Sequence, residues 1–483
     1  MVDEVRSIWQ SRSKPVVIYL IVGLVYHLIP VTEATFMDQR TLAAVARSLR
    51  LSQRLPERPF RLAVTDSRSV GPDDLFFALT GAKVDGHTFL VDIAAKGAAA
   101  AVVAEHYKGP DFGLILIKVP NVLEALQTLA KHRIDLWQPH IVAVTGSVGK
   151  TTTKEFIGSL LAGRYAVAKA PGNANSQVGL PISILNMACT EDVLVIEMGM
   201  TEAGNIAKLI AIAPPTISVI TKIGLAHSGN FADGIEGVAR AKAEILAHPQ
   251  TKKAIIGKQA WAFAPIRETG SCSKITAGCA PDEAHYILHP GWLLIGKTEK
   301  SPKLELPFSA THFLEDFSIA AATARTMGVE WEEMIPILSS LQSTGCRFAK
   351  VPIDGATFIN DTYNAGPESV RAALDNMFPP EKGGRKIAVL GGMTVDLGPK
   401  SDEIHREVAR HALERADVFF CYGPGSLPMK EIFEGSGRMQ FFTEDMEKLR
   451  AAVFSFVRPG DVVLVKGANR YAMWQLLDGK PST

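Results

Sequence analysis

A chain of 483 residues is too long for one ordinary core, and at about 150 residues per domain it implies three. Its composition is globular, with 47% hydrophobic and 21% charged residues, and 51 Lys plus Arg against 50 Asp plus Glu leave a formal net charge of +1. That balance, with no long Lys/Arg run, argues against nucleic acid as a partner, because phosphate-backbone affinity needs a clustered basic excess.

The first recognisable stretch is apolar. Pro15 to Pro30 is bounded by prolines and preceded by Arg12 and Lys14. It is shorter than the ~20 residues of a spanning helix, and His27 interrupts it, so no stable membrane insertion is expected. Three readings stay open: a signal-peptide apolar region, an anchor, or translation starting at Met37 with residues 1–36 an extension outside the working protein. Cys189, Cys272, Cys279, Cys346 and Cys421 are odd in number and lack metal-ligand spacing. This is the cysteine usage of a reducing, cytoplasmic compartment.

A mixed segment runs from about Thr41 to Trp137. Buried-type strands follow at Ile141–Val144, Val193–Ile196 and Thr216–Ile220, and again at Ile387–Leu390, Val418–Cys421 and Val462–Val465. Short apolar strands separated by helical stretches predict parallel βαβ sheets, and the two groups predict two α/β domains behind an N-terminal one. Between them, Ala310 to Leu341 reads as helix. The predicted boundaries are an extension over 1–36 and domains over 37–138, 139–345 and 346–483.

The sharpest motif is Val144-Thr-Gly-Ser-Val-Gly-Lys-Thr-Thr-Thr153, between the strand Ile141–Val144 and a helix over Lys154–Leu161. Backbone N–H groups of Gly146, Ser147, Val148 and Gly149 can wrap phosphates, and the N-terminus of the helix that follows Lys150, Thr151 and Thr152 favours an anion. Lys150 would reach the terminal phosphates of a nucleotide and Thr151 would hold Mg²⁺. Glu197 ends one strand and His227 follows another. Both lie at the carboxyl edge where open parallel sheets bind ligands. A carboxylate there suits Mg²⁺; a solvated strand-end acid is the bland alternative for Glu197, and an ordinary loop histidine for His227.

In the helical stretch Ile235–Leu246, Lys242 falls on the apolar face with Ile235, Val238, Ile245 and Leu246. Such a lysine is either buried and chemically adapted, or snorkels to the helix edge; periodicity alone favours snorkelling.

Further segments join these motifs. Asp66-Ser-Arg68, Leu75–Gly81 and Asp85–Phe89 precede the loop, which continues into Thr152-Thr-Lys-Glu155. Gly172–Pro181, Glu197-Met-Gly199, Ala226-His227 and Ala241–Ile245 follow it. Arg347, Asp361–Pro367, Val389–Met393, His405-Arg-Glu407 and Val465-Lys-Gly467 come last. Together they resemble the ATP-dependent Mur ligases, which build the peptide of the bacterial cell-wall precursor, from about Met37 to the end. The subgroup resembled is the one that adds D-alanyl-D-alanine to UDP-N-acetylmuramoyl-tripeptide. Its sibling adding the third amino acid typically carries TGTNGKT and lacks the Thr-Lys-Glu extension.

The resemblance implies an α/β chain of three domains: an N-terminal UDP-substrate-binding domain, a central P-loop ATPase-like parallel-sheet domain and a C-terminal Rossmann-like domain. Ser67, Arg68, Asn173, Asn175 and Gly179 would contact the UDP-muramoyl-peptide, and Arg347 and Asn364 the nucleotide. Two Mg²⁺ ions would be held through Thr151, Glu197, His227 and a carbamylated Lys242, with Lys150, Lys242, His227 and Arg347 catalytic. The implied enzyme is an ADP-forming amide ligase, expected to be monomeric, working through an acyl phosphate. Four elements depart from the family pattern: Asn175-Ser176 replaces Asn-Asn, His312-Phe-Leu-Glu-Asp316 replaces His-Asn-x-x-Asn, Gly391-Gly-Met393 replaces Gly-Asp-Met, and the Asn-Asp stretch after the third central strand is not visible around Ile255–Trp261. The rival readings are a folylpolyglutamate-synthetase-like ligase, which would lack the Asp66–Phe89 segment, and a non-ligase P-loop NTPase, which should show basic stripes or partner-facing apolar surfaces.

Overall fold

The structure, a computed structural model, describes residues 40–81, 84–342, 345–393 and 396–478. The apolar run of the first 36 residues lies outside them. They divide into two compact units: residues up to Gln138 together with Pro181–Glu191, and Pro139–Leu180 together with Asp192 onward.

The first unit is built on a parallel sheet of β1 (Ala63–Val64), β2 (Leu75–Phe77), β3 (Ala100–Ala104) and β4 (Ile115–Val119), in that spatial order. Every residue of β3, Ala-Ala-Val-Val-Ala, is buried, as expected for a strand covered on both faces. Helix α1 (Val122–Trp137) starts at Asn121, whose side chain accepts from the N–H groups of Leu123 and Glu124. It buries Leu126, Leu129, Ala130 and Arg133 on one face.

The second unit holds two sheets. The larger comprises β5 (His140–Thr145), β6 (Val167–Lys169), β7 (Val193–Glu197), β8 (Ile217–Ile220), β9 (Lys253–Gly257), β10 (Ser273–Cys279), β11 (Tyr286–His289), β12 (Trp292–Ile295) and β13 (Glu299–Lys300). Its order is β13-β12-β11-β10-β9-β8-β5-β7-β6, parallel from β6 through β11 and antiparallel beyond. β5 pairs with β7 on one side and β8 on the other. The chain therefore leaves the carboxyl end of β5 at a switch in strand order, where a crevice opens. Helices α2 (Lys150–Leu161), α3 (Ile235–Ala243) and α4 (Thr311–Thr326) belong to this sheet. Phe156 and Leu160 of α2 and Phe317 and Ala321 of α4 share one core with Val142 and Val195.

The other sheet orders β14 (Ala349–Ile353), β15 (Ala356–Asn360), β16 (Lys386–Gly391), β17 (Val418–Tyr422), β18 (Met439–Thr443) and β19 (Val462–Lys466) as β14-β15-β19-β16-β17-β18, parallel except for β14. Along β16, Ala388 and Leu390 enter one hydrophobic core and Ile387 and Val389 another. The sheet is thus covered on both faces, in the Rossmann-like manner. Helix α5 (Pro367–Asp375) follows β15.

All six strands expected from apolar runs are present, and so are the helices over Ala310–Leu341, as α4 and Trp331–Leu338. The extension of the central sheet by β10 to β13 was not foreseen. Among the described residues no helix is long and apolar enough to cross a membrane.

Candidate active site

The loop from Gly146 to Gly149 joins β5 to α2 and can be made only with glycine at its two ends. Gly149 sits at φ 86, and a Cβ there would lie 2.3 Å from Asp316 Oδ1; a Cβ on Gly146 would lie 1.9 Å from Thr221 Oγ1. The segment after β8 holds the loop from outside. Thr221 Oγ1 donates to Val148 O at 2.5 Å, Ser147 N donates to Lys222 O at 2.7 Å, and Gly224 N donates to Ser147 Oγ at 2.9 Å. Held in this way, the loop and the start of α2 line the crevice, where the N-terminus of a helix favours an anion.

A cavity of about 700 Å³ occupies that crevice. It is lined by Gly146, Ser147, Val148, Gly149, Lys150, Thr151 and Thr152 of the loop and helix, by Asn173 and Asn175, and by Glu197, His227, Lys242, Arg347 and Asn364. Fourteen expected site residues, spread from Gly146 to Asn364, are thus brought to one place. Gly179 is not among the lining residues; it opens a helix, its N–H bonded to Ser176 Oγ at 3.0 Å. Ser67 and Arg68 belong to the first unit, where Lys96 Nζ donates to Ser67 O and the exposed Arg68 pairs with Asp66 at 2.7 Å.

Lys150 and Lys242 converge on a single acceptor, the Gly146 carbonyl, at 2.8 and 3.0 Å. Snorkelling is overturned for Lys242: it is 2% exposed, because its position on α3 faces the core. Burial first, and then the neighbouring Lys150, push its pKa well below the usual lysine range. Burial also lowers Lys150, with Glu197 opposing and Arg347 reinforcing the shift.

Glu197, at the end of β7, is 1% exposed. Asn175 Nδ2 donates to its Oε2 at 3.3 Å, while Oε1 has no hydrogen-bond partner. Its nearest cation is the fully buried Lys154, with Nζ 3.9 Å from Oε1. Lys154 is spent elsewhere, donating to Ala170 O at 2.6 Å and Gly172 O at 3.1 Å and pairing with Glu155 at 3.1 Å. It fastens the base of the loop that carries Asn173 and Asn175, and Gly199 N closes that loop by donating to Asn175 O at 2.8 Å.

The second wall comes from the smaller sheet. Arg347 Nη2 donates to Thr151 Oγ1 at 3.0 Å, and its guanidinium stacks 3.7 Å over the Tyr363 ring. Behind it Asp361 accepts from Phe348 N at 3.1 Å and pairs with the buried Lys466 at 2.6 Å. Lys466 also donates to Asn364 O at 2.9 Å. His227 adopts the left-handed conformation at φ 68, and its Nδ1 lies 2.8 Å from Asp396 Oδ2. Burial lowers its pKa against the opposing pull of Asp396.

Sequence reasoning gave no role to Lys154, Lys466, Asp361, Tyr363 or Asp396. Lys154, Asp361, Tyr363 and Lys466 lie inside motifs already singled out, so the motif text was the available signal. Asp396 carried none. His312 and Asp316 also line the cavity; burial takes His312 down to about 4 and Asp316 up to about 8.

Chemically, Lys150, Lys242, Lys222, Arg347 and Lys466 face one enclosure with Glu197, an arrangement that suits a polyphosphate. Glu197 Oε1, without a hydrogen-bond partner, and Thr151 line the same cavity, and an orphaned carboxylate oxygen there fits a hard cation. Among the described residues no group of three or more His, Cys, Asp or Glu forms a cage.

Three family descriptions match the chain: Mur ligase family, catalytic domain, at residues 61–134; Mur ligase middle domain at 144–288; and Mur ligase, glutamate ligase domain at 346–469. The UDP-N-acetylmuramoyl-tripeptide–D-alanyl-D-alanine ligase of Bacillus subtilis (strain 168) is 32% identical over 421 residues, covering 84% of this chain and 90% of the relative. The crystal structure of MurF from Acinetobacter baumannii superposes with a TM-score of 0.77 at 26% identity, covering 90% of this chain and 97% of that one. MurF ligase from Thermotoga maritima in complex with ADP superposes at 0.71 and 28%, covering 86% and 96%. This chain belongs to the Mur ligase family.

Proposed function

We propose that the chain is the ATP-dependent, ADP-forming ligase that joins D-alanyl-D-alanine to UDP-N-acetylmuramoyl-tripeptide in peptidoglycan precursor synthesis. The observation that carries the reading is the convergence of Lys150, Thr151, Glu197, Lys242 and Arg347 on one cavity at the switch point of a parallel sheet. The relatives matched over nearly their whole length supply the substrate class.

A carboxylate is a poor electrophile, so the terminal carboxylate of the tripeptide first attacks the γ-phosphorus of ATP, and ADP leaves. The acceptor's amine nitrogen then attacks the acyl-phosphate carbonyl; inorganic phosphate departs and the ammonium proton is lost. Little covalent chemistry falls to the protein, which neutralises charge and aligns the reactants. Loop N–H groups and the α2 N-terminus take the phosphates, and Lys150 and Arg347 meet the charge that develops on the transferring group. Thr151, Glu197, His227 and a carbamylated Lys242 are the residues that would hold two Mg²⁺ ions, which supply charge neutralisation on the phosphates. Carbamylation bonds the neutral Lys242 amine to CO₂ carbon with loss of one proton, and burial of Lys242 favours the neutral amine it needs. Asn173, Asn175 and Gly179, with Ser67 and Arg68, are assigned to the muramoyl-peptide, and Asn364 to the nucleotide.

In this reading the domains run over 37–138, 139–345 and 346–483, and the enzyme acts as a cytoplasmic monomer. Phosphate release from ATP should require both UDP-muramoyl-tripeptide and D-alanyl-D-alanine. Robust hydrolysis without them, or none with them, would sink the proposal.

A further inference from the structure

His227 reaches the cavity from the segment after β8, but its ring is held from the other sheet. Its Nδ1 lies 2.8 Å from Oδ2 of Asp396, in the segment that follows β16. The backbone doubles the contact: Gly229 N donates to Asp396 O at 3.0 Å. At Gly229 a Cβ would lie 2.3 Å from Gly398 N, so the two turns meet main chain to main chain. Residues 227–229 and 396–398 therefore dock in one register, which sets the carboxylate opposite the imidazole. Gly392 stands where the resembled Gly-Asp-Met element carries its acid, so Asp396 is the first carboxylate after β16.

An ionised carboxylate can only accept a hydrogen bond. In the neutral ring, the nitrogen facing it must carry the proton, and the other keeps its lone pair. Among the described residues, Nε2 of His227 has no hydrogen-bond partner, and the residue lines the cavity. A ring that is to ligate a cation or accept a proton in the cavity has to present that lone pair. Left to itself, an imidazole has a broad χ2 and two available tautomers.

We propose that Asp396 is a positioning residue that fixes His227 as the Nδ1–H tautomer and presents Nε2 to the cavity as an acceptor. The C-terminal Rossmann-like domain thereby completes a group of the central domain. What His227 meets there rests on the ligase reading; the tautomer itself does not.

The test uses the full chain labelled with ¹⁵N-histidine at pH 8, with the His227 signals identified by their loss in His227→Gln. The wild type should show Nδ1 protonated and Nε2 bare, and Asp396→Ala should move His227 toward the opposite or mixed tautomer. A wild-type ring protonated on Nε2, or an unchanged tautomer in Asp396→Ala, overturns the proposal, and the wild-type spectrum decides even if the variant fails to fold. Asp396→Ala should lower kcat by roughly 10- to 100-fold, the usual cost of removing a group that orients a ligating histidine. In a His227→Ala background the same change should cost nothing further, and an additional loss there overturns action through His227. Failure of the ligase reading would show instead as a wild-type enzyme without substrate-dependent phosphate release, leaving the tautomer result standing.

Discussion

Arg347 donates to the Thr151 hydroxyl at 3.0 Å, so the first arginine of the smaller sheet's domain touches the first turn of the helix that follows the phosphate loop. Its guanidinium also stacks 3.7 Å over the Tyr363 ring, which restricts the plane of the fork. Arg347→Ala should lower kcat by on the order of 10²-fold or more, the scale of losing one preorganised charge contact. Arg347→Lys should not restore it, because an ammonium neither forks nor stacks in the same way. Steady-state rates of phosphate release check this, and wild-type turnover of Arg347→Lys would refute it.

Lys150 is the cation that the loop itself carries. Lys150→Ala should keep the fold, as judged by circular dichroism and melting, and lose at least about 10²-fold in rate. An active variant would mean that ATP is held elsewhere.

A bare ammonium at Lys242 would repel the ions assigned beside it, whereas a carbamate offers the oxygen that Mg²⁺ prefers. Lys242→Ala should be nearly inactive, and added formate or acetate should partly restore turnover by replacing the missing carboxylate. The position is insensitive to that chemistry if the variant turns over at the wild-type rate with no additive.

Asp316 touches Gly149 and accepts from Thr153 Oγ1 at 3.2 Å. Burial raises its pKa to about 8; Glu315 reinforces the shift, and Lys222, Thr153 and Arg347 oppose it. Unfolded, the same carboxyl titrates near ~3.9. Between those values the folded chain holds a proton that the unfolded chain has lost, so stability falls as pH rises through the window. Asp316→Asn removes the dependence. The melting temperature of the variant minus that of the wild type should be larger at pH 8 than at pH 5, and an equal difference at both would contradict the assignment.

Among the described residues the earliest to line the cavity is Gly146, and no catalytic motif of the sequence lies before Met37. Deleting residues 1–36 should leave specific activity within a few-fold. An inactive or misfolded truncation would assign the segment a structural or anchoring part.

Features encoded locally were legible from the sequence. The strand at Ile141–Val144, the glycines at 146 and 149 and the cation at 150 lie within ten residues of one another, and their chemistry needs only a strand–turn–helix. Lys242 shows the limit. Periodicity placed it on the apolar face, but only the packing of α3 distinguished burial from snorkelling. Lys154 lay in plain view one turn after Lys150, yet its partners are carbonyls at Ala170 and Gly172, and no side-chain pattern marks a backbone acceptor. The pairings Asp396 with His227 and Lys466 with Asp361 join residues far apart in the chain, where spacing carries no information. β11 and β12 alternate buried with partly exposed positions and β13 is exposed, so this antiparallel edge lacks the fully buried character of the parallel strands, even though Trp292–Ile295 is an apolar run.

The buried pair Lys466–Asp361 has a consequence for how the protein comes into being. Lys466 ends β19, which inserts between β15 and β16, so the strand made last fills a gap between strands made long before. A ribosome-bound chain that has released the phosphate loop and the whole central sheet still lacks the residue that anchors Asp361, and with it the backbone behind Arg347. Groups assigned to the nucleotide can emerge early, but their scaffold closes only when residue 466 has left the tunnel. Catalytic competence is therefore expected only after β19 has been made, because the smaller sheet cannot pair β15 with β16 without it.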